Sequence, residues 1–217
     1  MEQRTDEEQV QRLREWVAEY WKPVVGGVVV GLAAVLGWQG WGSHQEQQAL
    51  AASGQFDAMT AAVEAGDLDT AATRVDTLVS EYKGTLYAAL ANLSLAKAYV
   101  DAERYEDAAG ALTWVANYGE DAPTRALARL RLARVQWAMG ETDAALATLT
   151  ENTPPEAFQA AYLELQGDLQ SVLGDQAAAR QAYADALAAM DLNAPTRAAV
   201  DRKLAELGAP EQDEQAS

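Results

Sequence analysis

The side chains best suited to chemistry in this 217-residue sequence are cations placed to hold a carboxylate, not a nucleophile placed to attack one. Lys97 and Arg134 fall at equivalent places of an internal repeat, and Trp137 follows Arg134 by about one helical turn. In a chain with 33 acidic and 16 basic residues, two cations in one groove would hold an acidic partner segment, with Trp137 as an aromatic anchor. The competing reading pairs the cations with local acids such as Asp101 and makes Trp137 core filler. Arg125, Arg129, Arg131 and Arg134 crowd one stretch of helix-forming sequence, and the plainest account of such a run is a solvated face that compensates nearby carboxylates. Hydrolytic and metal chemistry are poorly provided for. Cysteine is absent, so thiolate nucleophiles, disulfides and Cys-based zinc sites are excluded. The one histidine, His44, cannot build a multi-His metal site, and beside Ser43 it lacks a third orienting group. No Asp-x-Asp-x-Asp-Gly calcium loop occurs. No cofactor and no enzymatic activity are expected.

The elements that would carry these residues are helices. Beyond Gln45 the text is nearly unbroken Ala/Leu helix-former sequence, interrupted by short turns at Gly66-Asp67, Gly140-Glu141 and Gly174-Asp175. Gly140 and Gly174 lie 34 apart, as do Ala145 and Ala179; a shift of 37 brings Gly140 onto Glu103, and another brings it onto Gly66. Small residues recur where a first helix crosses a second (Ala96, Ala133, Gly167, with Met59 departing) and again on the second helix (Ala71, Ala108, Ala145, Ala179). Large ones adjoin them: Leu95 and Leu132 on first helices, Val75, Leu112, Leu149 and Tyr183 on second helices. Small beside large allows close packing. This pattern resembles the tetratricopeptide repeat. The expected fold is all-α: about four degenerate repeats over 49–84, 87–120, 124–153 and 157–191, a capping helix over 195–207, and a disordered acidic tail over 208–217. In that repeat the inner surface is lined by positions one, four and five after the small crossing residue. The rule selects Lys97, Val100 and Asp101, then Arg134, Trp137 and Ala138, then Asp168, Ser171 and Val172.

Ahead of the repeats, 23–42 carries no charged side chain and reads as a single transmembrane helix, because about 20 apolar residues span a bilayer core. Trp16, Tyr20 and Trp21 on one side and Trp38 and Trp41 on the other supply interfacial belts. Arg12, Arg14 and Lys22 precede the span, while no Lys or Arg follows it before Arg74, so the N-terminus is expected in the cytoplasm and 43–207 in the periplasm. A cleaved signal peptide fits less well, since the preceding region is net acidic and the small-x-small site at Ala49-Leu50-Ala51 lies far beyond the apolar run. Gly27 and Gly31 form a GxxxG pair against which a partner helix would pack. Residues 1–22 read as an amphipathic cytoplasmic tail, with Val10, Leu13, Val17 and Tyr20 at helical spacing. After residue 22 the chain holds 12 basic against 27 acidic residues, a surface that repels nucleic acid and anionic headgroups.

The exit from the span, Gly37-Trp38-Gln39-Gly40-Trp41-Gly42-Ser43-His44-Gln45, resembles a Gly-Trp-x-x-Trp-x-Ser-His-Gln signature of the YfgM-type ancillary subunits of the bacterial Sec translocon. Leu130-Arg131-Leu132-Ala133-Arg134-Val135-Gln136 and the Asp143-Ala144-Ala145-Leu146 stretch are further echoes, so the similarity covers nearly the whole chain. The resemblance implies a non-enzymatic inner-membrane protein that associates with SecYEG and with the membrane-anchored periplasmic chaperone PpiD and assists newly exported chains. It also implies a link to the cytoplasmic Rcs stress-response regulator, through the N-tail. The other function open to such a chain is a tetratricopeptide scaffold in a different envelope machine, for outer-membrane or cytochrome assembly.

Overall fold

The computed structural model describes residues 3–208. It consists, over those residues, of nine α-helices: α1 (Gln3–Glu64), α2 (Leu68–Glu81), α3 (Leu86–Asp101), α4 (Tyr105–Tyr118), α5 (Ala122–Ala138), α6 (Thr142–Thr150), α7 (Glu156–Leu173), α8 (Gln176–Ala189) and α9 (Arg197–Glu206). The chain divides into two compact units, Met1–Leu50 and Ala51–Ser217. The expected acidic tail lies, from residue 209 onward, outside the described residues.

In the first unit α1 runs unbroken from Gln3 through Pro23, although proline has no N–H to give the carbonyl four residues back. The ends of the apolar stretch are therefore not helix ends. Large apolar side chains stand exposed along this part of α1: Val25, Val28, Val29, Leu32, Val35 and Leu36 are each 48–66 % exposed and share an arc of about 120°, while Trp38, outside that arc, reaches 83 %. A Cβ added at Gly27 or Gly31 would meet nothing within 4 Å. Among the described residues no helix is long and apolar enough to cross a membrane, and Pro23, Val24, Val30, Ala33, Gly37 and Gly40 are positions whose side chains fall outside that description.

In the second unit the helices form an antiparallel series of pairs, and one turn design joins the two helices of each pair. The N–H of Asp67, Arg104, Glu141 and Asp175 each donates to the carbonyl five residues earlier (Ala62, Tyr99, Gln136 and Gln170) at 2.8–3.0 Å. This is the six-to-one bond that closes a helix when the preceding residue takes a left-handed conformation. Glycine supplies it at Gly66, Gly140 and Gly174, with φ of 75 to 84°. Glu103, with φ 59°, is the one non-glycine residue among those described to adopt it. Asp67 and Asp175 then cap the next helix, accepting from the N–H of Thr70 and Ala178. Because a side chain in this conformation costs about 1 kcal/mol, Glu103→Gly should raise stability by roughly that amount, read as a higher urea midpoint. An unchanged midpoint would mean that Glu103 compensates its strain locally.

The small positions of the repeat are where the helices touch. Ala71, Ala108, Ala145 and Ala179 are fully buried, as are Ala133 and, within 2 %, Ala96. Leu95, Leu132, Val75, Leu112, Leu149 and Tyr183 fill the adjoining layer. Three apolar clusters follow along the stack. One joins the end of α1 to α2, α3, α4 and, through Ala128, Leu132 and Val135, α5; another joins α5, α6 and α7; the last seats α9 through Val200 against α8.

Candidate protein-binding groove

The four arginines of α5 serve two different purposes. Arg125 donates to the carbonyls of Gly119 and Glu120 at 2.6 and 3.1 Å, and Arg129 donates to that of Ala116 at 3.0 Å. Both therefore satisfy carbonyls left open at the end of α4, where the helix dipole favours a cation. The expected solvated, carboxylate-compensating face is not what they form. Arg197 does the same for α8 through Leu187 and Met190, and Arg180 does so for Leu207 after α9. Arg131 and Arg134 are exposed and enter none of the ion pairs of the described residues.

Those two arginines rim a groove of about 280 Å³ between α3 and α5. Lys97 stands on the opposite rim, and Leu93, Ala96, Val100, Leu112 and Val135 form an apolar floor. Lys97 and Arg134 thus share one groove, as their repeat positions require. Lys97 is also paired with Asp101 at 2.5 Å, yet it stays 73 % exposed, and an ion pair that open to water contributes little. Trp137 is not part of the groove. It lies partly buried against the cluster of Leu130, Leu149 and Tyr162, so the aromatic-anchor role passes to core filling. Arg131 is the groove cation that the inner-surface rule does not select, because it precedes the crossing residue Ala133 rather than following it. Among the described residues there is no group of His, Asp and Glu able to hold a metal ion.

The third set selected by the rule behaves differently. Asp168 is mostly buried, accepts from the Tyr183 hydroxyl at 2.7 Å and meets the Lys203 ammonium at 2.7 Å. Lys203 also reaches Glu164 at 3.0 Å. This network ties α7 to α8 and α9 and removes Asp168 from the open surface. Burial, and then the Asp168 carboxylate, push the Tyr183 hydroxyl well above the ordinary tyrosine range. Burial alone would lower Lys203, but its hydrogen bonds to Asp168 and Glu164 prevail and raise it. Groups raised on folding stabilise fully below their unfolded pKa, about 10 for both types, and that stability is lost as pH climbs through the folded values. The melting temperature should therefore fall above about pH 10, and fall less steeply in Tyr183→Phe. Parallel curves for the two proteins would remove Tyr183 from the account.

An all-helical stack of paired helices with small crossing residues and an open inner groove defines a tetratricopeptide-like protein-interaction module. A tetratricopeptide repeat-like domain family matches residues 14–209. The chain is 35 % identical over 178 residues to an ancillary SecYEG translocon subunit of Escherichia coli (strain K12), covering 82 % of this chain and 85 % of that one. It is 29 % identical over 181 residues to the subunit of that name from Haemophilus influenzae, covering 83 % and 88 % of the two chains. The Neisseria gonorrhoeae protein of the same name is 35 % identical over 128 residues, 58 % of this chain and 60 % of that one. The chain belongs to the family of ancillary SecYEG translocon subunits, the one its Gly-Trp-x-x-Trp motif resembles.

Proposed function

We propose that this protein is a non-enzymatic, membrane-tethered scaffold that works beside the Sec translocon and assists newly exported chains. The observation that carries the reading is the groove: an apolar floor with two arginines at its rim that no acid among the described residues engages in an ion pair, in a chain with about twice as many acids as bases. Such a surface is built to receive a partner's acidic and aliphatic side chains rather than to hold the fold together. The names of the relatives favour SecYEG over another envelope machine as the place of work. Residues 23–42 form the single inner-membrane anchor, since a helix with no charged side chain on any face and its large apolar side chains exposed needs either a protein core or lipid around it. Lysine and arginine before the span favour a cytoplasmic N-terminus and a periplasmic repeat domain. Gly27 and Gly31 offer a close approach for a helix of the channel, and the groove takes a PpiD-like chaperone. The tail over 1–22 is left to meet a cytoplasmic regulator.

Crosslinking in native membranes, followed by identification of the captured proteins, tests this. Recovery of the channel and a periplasmic chaperone is expected, and the Lys97→Glu/Arg134→Glu variant should lose the chaperone while keeping the channel. Recovery of outer-membrane or cytochrome assembly factors in their place would sink the reading. Full chaperone capture by the double variant would refute the role given to the groove.

A further inference from the structure

The groove does not end at Arg134. The same side chain borders a second depression of about 620 Å³, floored by Ala157, Ala160 and Ala161 of α7 and edged by Glu156, Glu164 and Asp191. Because Arg134 lines both, the two depressions adjoin and together make a track with two lobes. They are opposite in character. The first has bulky aliphatic flooring and carries Lys97, Arg131 and Arg134, whereas the second has an alanine floor and carries carboxylates. Glu164 is engaged by Lys203, which leaves Glu156 and Asp191 as the open acids. Both are exposed, and neither enters an ion pair among the described residues.

We infer that this track reads an extended polypeptide segment by the order of its charges, taking an acidic, aliphatic half between α3 and α5 and a basic half over the start of α7. The inference rests on the inner face being the partner-binding surface. A uniformly acidic segment would gain at Arg131 and Arg134 but meet Glu156 and Asp191 with like charge, and a uniformly basic one would suffer the reverse. Only a segment whose charge changes sign along its length satisfies both lobes. The aliphatic floor adds a requirement at the acidic half: Leu93 and Leu112 are already buried, and the partly exposed Val100 gains only if an apolar side chain covers it. Lys203, by occupying Glu164 and Asp168, keeps those two acids from extending the negative lobe further.

Four labelled peptides of equal length test the inference on the full chain in detergent micelles, by fluorescence anisotropy. The first has an Asp/Leu half joined through Gly-Ser to a Lys/Ala half; the second has the same composition with charges alternating; the third is uniformly acidic with Leu; the fourth is uniformly basic. The divided peptide should bind about ten-fold tighter than the alternating one, with the gap closing at high salt. In Glu156→Lys/Asp191→Lys, whose helical content should be unchanged because both residues are exposed, the uniformly acidic peptide should become the preferred ligand. Equal affinity for all four, binding of none, or an undiminished preference for the divided peptide in the double variant would overturn the inference. Loss of peptide selectivity with intact crosslinking to the channel removes the charge-ordered track and leaves the tethered scaffold standing. Loss of those crosslinks with selectivity intact does the reverse.

Discussion

Gly167→Ala should lower the stability of the repeat unit by about 2 kcal/mol, against the usual expectation for glycine in a helix. Within α7, alanine gains about 1 kcal/mol over glycine from backbone propensity alone. Its methyl group, however, would sit 2.5, 2.6 and 2.9 Å from three ring carbons of Tyr183. That ring has little room to move. It is 3 % exposed, and its hydroxyl is held at 2.7 Å by Asp168, which in turn holds Lys203 of α9. Moving the ring by the necessary distance would break this network, so the cost should fall toward the upper end of the roughly 1–3 kcal/mol that overpacking brings. The measurement is urea unfolding of the full chain followed by circular dichroism. Tyr183→Leu, which loses the ring edge and the hydroxyl together, should be destabilising alone but should make Gly167→Ala nearly harmless on top of it. An unchanged midpoint in the single variant would show that α7 and α8 can part without loss.

The same position shows what the sequence could reveal. The spacing of Ala96 and Ala133 predicts a small residue at 167, because close helix crossing imposes a size limit that every copy of a repeat must obey. Glu103 aligns likewise with Gly66 and Gly140, and it keeps their backbone conformation even without their freedom. What the period cannot carry is anything specific to one copy. Asp168 sits in the register of an inner-surface residue, but Lys203, 35 residues later and outside the repeat pattern, takes it out of service. The arginine run divides between two roles for a different reason. At 3.6 residues per turn, Arg131 and Arg134 lie roughly 180 to 240° round the helix from Arg125, while Arg129 lies about 40° from it. Two faces were therefore present in the spacing, one turned to the end of α4 and one to the groove. The acidic second lobe could not be read at all, since Asp191 reaches it from a connection whose path only the packing of α8 and α9 decides.

Arginine at both Val29 and Leu32 should detach the protein from the membrane, the largest effect expected of any change in the first unit. These residues sit near the middle of 23–42, and both are more than half exposed on α1. A cation near the centre of a span costs about 2.5–3.5 kcal/mol on an insertion scale, so two would cost about 5–7 kcal/mol before any adjustment. A single arginine can reach an interface by extending its side chain, which reduces the cost. Two, three residues apart on one face and close to the midplane, compete for the same escape route. The expected result is that either single variant stays in the membrane pellet after carbonate extraction, while most of the double variant moves to the soluble fraction or is degraded. Val10→Arg, in the N-terminal tail, serves as the control and should change nothing, because it adds no charge to the stretch proposed to span the bilayer. Retention of the double variant in the pellet would sink the assignment of 23–42 as the anchor. With it would go the reason for Trp21, Trp38 and Trp41 to stand exposed at both margins of that stretch.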